Sequence, residues 1–105
     1  MNGYILVPQA SNDFMRAYDY LYFRSIAAAS KMELRLLHAF DHLGQWPGSG
    51  HLRPDLTDLP LRFWPVSNYL ILYDPREKPI RILAIFHAAQ DVASILSDRF
   101  STEPL

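Results

Sequence analysis

The first half of the chain carries apolar residues at helical spacing. From Pro8 to about Phe23 they recur every three or four residues, as on one face of an amphipathic helix. A second helix is predicted between Ser25, which suits an N-cap, and Gly44. Two helices with a tight connection predict an antiparallel hairpin, whose apolar stripes must pack on a third surface. The stripes comprise Ala10, Phe14, Ala17, Tyr18, Leu21 and Tyr22 on the first helix, and Ala29, Met32, Leu36, Phe40 and Leu43 on the second.

The second half of the chain has the pattern of β-strands. Three strand-like runs rich in β-branched and aromatic residues, separated by Pro, Asn and Asp, predict an antiparallel meander within 61–73 and 80–87. A short apolar run at 4–7 predicts a first strand. The last run has two largely apolar faces, formed by Ile80, Ile82, Ala84 and Phe86 and by Arg81, Leu83, Ile85 and His87. We therefore expect this strand to be central, with the helical hairpin on one face and the tail or another protein on the other.

These elements predict an α+β fold, in which an N-terminal strand and an antiparallel helical hairpin pack on a small antiparallel β-sheet. A short C-terminal helix is predicted over 88–100. The length suits a single domain, 1–105. The segment 48–60 contains two Gly and two Pro residues and predicts a long loop, of the kind that is often functional.

Composition narrows the class of partner. Ten basic and eleven acidic residues give a formal net charge of -1, without the cation excess that is typical of proteins that bind nucleic-acid phosphates. We therefore expect no direct sequence-specific DNA binding. Six Tyr, six Phe and two Trp are many for a small domain and favour a protein partner. The absence of cysteine, of a secretory leader and of a membrane-spanning run predicts a soluble cytoplasmic protein.

The histidines offer two candidate sites. His38 and His42 are four residues apart on a helix, a spacing at which two imidazoles can share a metal. No third ligand is positioned by the sequence, so the favoured interpretation is two surface histidines, and no metal or cofactor is predicted. Asp91 follows His87 by four residues and could orient its imidazole for acid–base chemistry. The favoured alternative is that Asp91 caps the final helix and His87 ends its strand.

A phosphate-binding group is a further possibility. His51 and Arg53 in the long loop could lie near Arg62 and Arg81 on neighbouring strands. The favoured alternative is structural, with Arg53 paired to Asp55 or Asp58. No nucleophile elbow, phosphate loop or paired carboxylates are present in the sequence, so spacing alone does not indicate an enzyme.

The order of the elements and several short motifs resemble the ParE branch of the ParE/RelE toxin superfamily. The loop Gly-Ser-Gly-His-Leu-Arg-Pro-Asp-Leu at 48–56 precedes Leu-Arg-Phe at 61–63. Tyr-Leu-Ile-Leu-Tyr at 69–73 and Ile-Arg-Ile-Leu-Ala-Ile-Phe-His at 80–87 follow, with an Asp four residues on. The similarity extends from Tyr4 to about Leu96. Members of the superfamily are the toxins of bacterial type II toxin–antitoxin modules, and the resemblance implies the hairpin-on-sheet fold described above.

The two branches of the superfamily imply different activities. ParE-like members inhibit DNA gyrase by binding it, whereas RelE-like members are ribosome-dependent mRNA endonucleases with clustered Lys and Arg. This chain has two lysines, Lys31 and Lys78, and no tyrosine after Tyr73, which favours the ParE-like function. A third possibility is a non-toxic relative that only binds its antitoxin, because Gln90 stands where ParE relatives commonly carry the arginine of Gly-Ala-Arg-Asp.

The resemblance also implies partners and site residues. A ParD-like antitoxin is the expected partner, and DNA gyrase is the possible target. The candidates for target binding are Arg53, Arg62, Arg81, Gln90 and Asp91. The candidates for antitoxin binding are the aromatic residues Tyr22, Trp46, Trp64 and Tyr69. No catalytic residue is assigned; if the chain cleaves RNA, then His87, Arg81 and Arg62 or His51 must converge.

Overall fold

The computed structural model describes residues 3–100 as a sheet between two helical layers. The elements are β1 (Tyr4–Leu6), α1 (Pro8–Tyr22), α2 (Ile26–Gln45), a 3-10 turn (Pro47–Ser49), β2 (Arg62–Val66), β3 (Tyr69–Asp74), β4 (Ile80–His87) and α3 (Val92–Phe100). The hairpin of α1 and α2 packs on one face of the sheet, and α3 packs on the other. The predicted α+β class, helical hairpin and C-terminal helix are confirmed. Within residues 3–100, no helix is long and apolar enough to cross a membrane.

Local sequence determines where the two long helices begin. Pro8 is the first residue of α1, a position at which its missing N–H costs no hydrogen bond. Ser25 is the N-cap of α2, and its Oγ accepts the Ala28 N–H at 3.1 Å, as predicted. Gly44 was expected to end α2 but lies inside it. A Cβ on Gly44 would come within 2.9 Å of the Gly3 backbone, so this glycine allows β1 to approach α2 closely.

The strand order in the sheet is β1-β4-β3-β2. The meander of β2, β3 and β4 is antiparallel, as predicted. β1 instead pairs in parallel with β4, with Tyr4 opposite Ile80 and Leu6 opposite Ile82. The sheet is therefore mixed rather than wholly antiparallel. Sequence patterning could not give the direction of β1, because a short apolar run buries the same side chains in either direction.

A β-bulge changes which side chains of β4 face each layer. Leu72 is opposite Ala84 whereas Tyr73 is opposite Ile82, so that Leu83 is an extra residue in the ladder. The prediction that the side chains of β4 alternate strictly between the two faces of the sheet is therefore wrong beyond Ile82. The residues that face the helical hairpin are Ile80, Ile82 and Ile85, and those that face α3 are Leu83, Ala84 and Phe86.

The sheet separates two hydrophobic cores. The hairpin-side core contains the fully buried Leu36, Phe40 and Leu43 of α2, together with residues of β3 and β4. The α3-side core is smaller and is closed by Leu96 of α3 and by partly buried leucines of the long loop. The second face of the sheet was expected to be covered by the tail of the chain or by another protein. In the structure α3, which lies in the tail, covers it.

The long loop is anchored through Tyr73. The buried Tyr73 hydroxyl donates to the Pro47 carbonyl at 2.6 Å and accepts the Gly50 N–H at 2.8 Å. Burial raises the pKa of Tyr73, so the phenol stays protonated and keeps its donor. His51 and Phe63 exchange two backbone hydrogen bonds of 2.8 Å on the outer side of β2. This segment therefore covers part of the outer edge of β2.

Leu36 should contribute strongly to stability because its side chain is fully buried in the hairpin-side core. We predict that Leu36→Ala lowers the free energy of unfolding by about 2–5 kcal/mol, through lost burial and a residual cavity. The measurement is urea-induced unfolding followed by tryptophan fluorescence. The matched control is Leu34→Ala on the same helix, where the side chain is 60% exposed, with an expected change within about 0.5 kcal/mol. Equal losses in the two variants would contradict this packing.

Candidate partner-binding site

Asp13 of α1 connects both helical layers to the sheet. Its side chain is 5% exposed and forms two 2.8 Å hydrogen bonds with the guanidinium of Arg99 on α3. Oδ2 also accepts the Ile85 N–H of β4 at 3.0 Å. β1 ends at Leu6, so beyond that point the edge of β4 has no neighbouring strand. The carboxylate therefore accepts a backbone donor that the sheet leaves unpaired.

Arg99 is held as a cation in this arrangement. The hydrogen bond to Asp13 raises the pKa of Arg99, although partial burial opposes the shift. The structural role of Asp13 was not predicted from the sequence. The available signal was its position, because a charged residue lies between Ala10 and Ala17 in the apolar stripe of α1.

The structure confirms the structural interpretation of His87 and Asp91. Asp91 caps α3, since Oδ1 accepts the Ser94 N–H at 3.2 Å and Oδ2 accepts the Ser94 hydroxyl at 2.9 Å. His87 ends β4, and its Nδ1 accepts the Ala89 N–H at 3.1 Å. Gln90 Oε1 accepts the His87 N–H at 2.7 Å and so closes the turn between β4 and α3. Asp91 therefore caps the helix and does not orient the imidazole.

The arginines of the possible phosphate-binding group each contact a different partner. Arg53 makes a bidentate ion pair with Asp55, with distances of 2.8 and 2.9 Å, which confirms the favoured structural interpretation. Arg62 donates to the Gly50 carbonyl at 2.7 Å and holds the long loop. Arg81 is exposed, 3.8 Å from the Glu77 carboxylate. These contacts do not assemble a common anion site.

His87 is remote from the other catalytic candidates. Arg81 lies at the start of β4 and His87 at its end, so six residues of extended strand, about 20 Å, separate them. Arg62 is opposite Tyr73 in β3, near the same end of the sheet as Arg81. The convergence that an RNA-cleaving site was expected to need, His87 with Arg81 and Arg62 or His51, is absent from residues 3–100, since His51 pairs with Phe63 beside Arg62. His42 contacts Ser49 at 3.0 Å, and no group of three metal-ligating side chains occurs in that range.

The predicted antitoxin-binding aromatics lie in three places. Trp46 is 63% exposed beyond the end of α2, and Tyr22 is 43% exposed at the tip of the helical hairpin. Trp64 is half-buried rather than exposed and stacks on His42 at 5.3 Å between ring centroids. Tyr69 is also half-buried, with its ring 5.5 Å from that of His87.

The hairpin tip presents more apolar surface than the sequence analysis indicated. Phe23 is 84% exposed and packs edge-on against Tyr22, and Ile26 is 61% exposed. Tyr20 is 58% exposed beneath the guanidinium of Arg24, which lies 3.9 Å from its ring centroid. An exposed aromatic cluster of this kind is typical of a protein-binding surface. Its sequence signal was the run Tyr-Leu-Tyr-Phe at 20–23, which helical periodicity assigned partly to the core.

A family model described as the ParE toxin of the type II toxin–antitoxin system parDE matches residues 4–92. The chain belongs to the ParE toxin family. No curated protein matches it.

A solved structure supports the fold of this family member. The structure described as the chromosomal ParDE TA system from P. aeruginosa superposes with a TM-score of 0.67 and 21% sequence identity. The match covers 83% of this chain and 96% of that chain. At this identity the likeness concerns the fold, and the matched family model carries the assignment to the ParE toxins.

The Asp13–Arg99 pair gives a test of the site in this ParE-family chain. We predict that Asp13→Ala lowers the free energy of unfolding by about 3–5 kcal/mol, because it leaves Arg99 and the Ile85 N–H without their acceptor. A double-mutant cycle with Arg99→Met should give a coupling energy of about 1–3 kcal/mol in denaturant unfolding. The control is Arg53→Met in the exposed pair with Asp55, which should leave the unfolding midpoint unchanged. A coupling energy near zero would contradict the bridging role of Asp13.

Proposed function

We propose that the chain is a toxin that acts in the cytoplasm by binding and inhibiting DNA gyrase, and that a ParD-like antitoxin neutralises it. Membership of the ParE toxin family supports this proposal. The observation that carries it against mRNA cleavage is the separation of His87 from Arg81 and Arg62. An endonuclease must place acid–base and charge-stabilising groups around one phosphate. Here His87 lies at one end of the sheet, and Arg81 and Arg62 lie at the other.

Surface chemistry supports inhibition by binding. The hairpin-tip aromatics and Trp46 are exposed, and such side chains are often hot spots of protein interfaces. The solved relative is described as a ParDE toxin–antitoxin system, and a corresponding antitoxin for this chain follows by analogy. We assign gyrase contact to the arginines Arg53 and Arg81, which are 42% and 51% exposed, with Arg62, Gln90 and Asp91 as further candidates.

Gln90 supports a second candidate function, a relative with reduced or no toxicity. Its side chain closes the turn after β4 through the His87 N–H, so it replaces the charge of the usual arginine with an internal hydrogen bond. If that arginine contacts the target, this chain lacks the contact. The exposed antitoxin-binding candidates Tyr22 and Trp46 lie outside this turn, so the chain would keep those contacts with its partner.

A purified-component assay distinguishes these functions. We predict that the wild-type chain inhibits ATP-dependent supercoiling of relaxed plasmid by gyrase and leaves a reporter mRNA intact in a ribosome-based translation reaction. Arg81→Glu should weaken the inhibition, because it reverses an exposed charge assigned to the target contact. Arg24→Glu at the hairpin tip is the matched control and should inhibit like the wild type. Each variant is checked for unchanged circular dichroism.

Two other outcomes would contradict the proposal. Fragmentation of the reporter mRNA with unaffected supercoiling would indicate a RelE-like endonuclease. If neither gyrase nor mRNA is affected, Gln90→Arg becomes the informative variant. Inhibition of gyrase by Gln90→Arg alone would indicate a chain that has lost its toxicity through this one side chain.

A further inference from the structure

The two outer strands of the sheet, β1 and β2, are protected to different degrees. In β2 the backbone of Phe63 points outward and exchanges two hydrogen bonds with His51 of the long loop. The next outward position in β2 is Pro65, which has no N–H to donate. The outer edge of β2 therefore offers no free pair of backbone donor and acceptor to another strand.

Strand β1 lacks such protection along its outer edge. The Gly3 carbonyl accepts an N–H of β4 at 2.9 Å, and the Val7 N–H donates to a carbonyl of β4 at 3.1 Å. Backbone groups alternate between the two sides of a strand, so Tyr4 and Leu6 direct their N–H and C=O groups away from β4. Within residues 3–100, no backbone or side-chain group pairs with these outward groups.

The side chains along the edge of β1 also favour contact with another strand. Tyr4 and Leu6 pack against the hairpin-side core, so Ile5 faces the other way, and its side chain is 42% exposed. Exposed edge strands usually carry a charged side chain or a proline that prevents pairing. β1 itself contains neither, and residues 3–10 carry no charged side chain. Nothing in the sequence of β1 therefore opposes strand addition.

An antiparallel copy of β1 complements this edge. With a two-fold axis at Ile5, Tyr4 of one copy is opposite Leu6 of the other, and each such pair exchanges two N–H···O=C bonds. Within β1, an axis at Tyr4 or at Leu6 would form one hydrogen-bonded pair instead of two. The register centred on Ile5 also sets the two exposed Ile5 side chains directly opposite each other, which buries apolar area.

We propose that two copies of the chain associate reversibly through antiparallel pairing of their β1 strands, which joins the two sheets into one. The assembly stops at two copies, because each copy uses its open edge once and keeps β2 covered at the other end of the sheet. β1 has three residues, so the interface is small and the dimer exchanges with the monomer. The proposal depends neither on gyrase nor on the antitoxin.

Cysteine cross-linking tests the register directly, because the chain contains no cysteine. In the proposed pairing, the two Ile5 residues form a non-hydrogen-bonded pair with Cα atoms about 4.5 Å apart, within the span of a disulfide. The Ile5→Cys chain is oxidised with diamide, and the covalent dimer is followed on non-reducing gels. We expect it to form about tenfold or more faster than in the control Ile26→Cys, although Ile26 is more exposed, at 61%.

Charged variants test the pairing without a covalent bond, by sedimentation velocity over a concentration series. We expect Ile5→Lys to weaken self-association about fivefold or more, since two like charges then lie directly opposite each other. An equimolar mixture of Ile5→Lys and Ile5→Glu should recover the dimer, because the charges across the axis are then opposite. The matched control is Ile26→Lys at the hairpin tip, which should associate like the wild type. Circular dichroism checks the fold of each variant.

Three results would overturn the proposal. The first is a wild-type chain that stays monomeric at millimolar concentration. The second is cross-linking of Ile5→Cys at the same rate as Ile26→Cys. The third is association that Ile26→Lys abolishes and Ile5→Lys leaves unchanged, which would assign the dimer to the hairpin tip. None of these results bears on gyrase inhibition, so this proposal and the proposed function can fail separately.

Discussion

The buried carboxylate of Asp13 is the contact on which the arrangement of the layers depends. It joins α1 to the unpaired edge of β4 through the Ile85 N–H, and joins both to α3 through Arg99. A buried carboxylate without partners is strongly unfavourable, and so is a buried backbone donor without an acceptor. The Asp13 carboxylate gives the Ile85 N–H an acceptor and is itself paired with Arg99. Both contacts form only when α1, β4 and α3 are all in place. The interaction therefore favours this particular packing over others that would bury similar apolar area.

The same contact affects the surface beside α1. Because Arg99 pairs with Asp13, the buried carboxylate leaves no uncompensated negative charge in the ≈ 420 Å³ cavity that Arg16 and Tyr69 also line. The exposed aromatics of the hairpin tip lie on the same helical hairpin. His87, Arg81 and Arg62 instead hold local structure or remain on the surface, far apart in the sheet. These features support the function proposed for this ParE-family chain, which is inhibition by binding.

Local patterns predicted most of the elements. The apolar stripes gave the helical hairpin, Ser25 was found from its capping chemistry, and Asp91 was assigned its cap because a helix N-terminus needs an acceptor. These features are determined within a few residues along the chain. The covering of the second sheet face was left open between the tail and a partner, because the pattern showed only that the face is apolar.

Features that depend on distant parts of the chain could not be predicted in this way. The bulge at Leu83 depends on how two strands meet, and the parallel pairing of β1 depends on the path of the hairpin between them. Asp13 and Arg99 are 86 residues apart, and although Asp13 lies in the apolar stripe of α1, no residue near it in sequence indicates its partner. Trp64 looked like an exposed aromatic, yet α2 supplies His42 to cover it. In each case the deciding partner is remote in sequence.

Native-state amide hydrogen exchange at Ile85 tests the central role of Asp13 most directly. In the wild-type chain we predict that this amide exchanges as slowly as the amides of β3, although it has no strand partner on its side of β4. In Arg99→Met, we predict that Ile85 and α3 exchange through a shared opening that costs less free energy than global unfolding. Rapid exchange of Ile85 in the wild type, or exchange unchanged by Arg99→Met, would contradict the account.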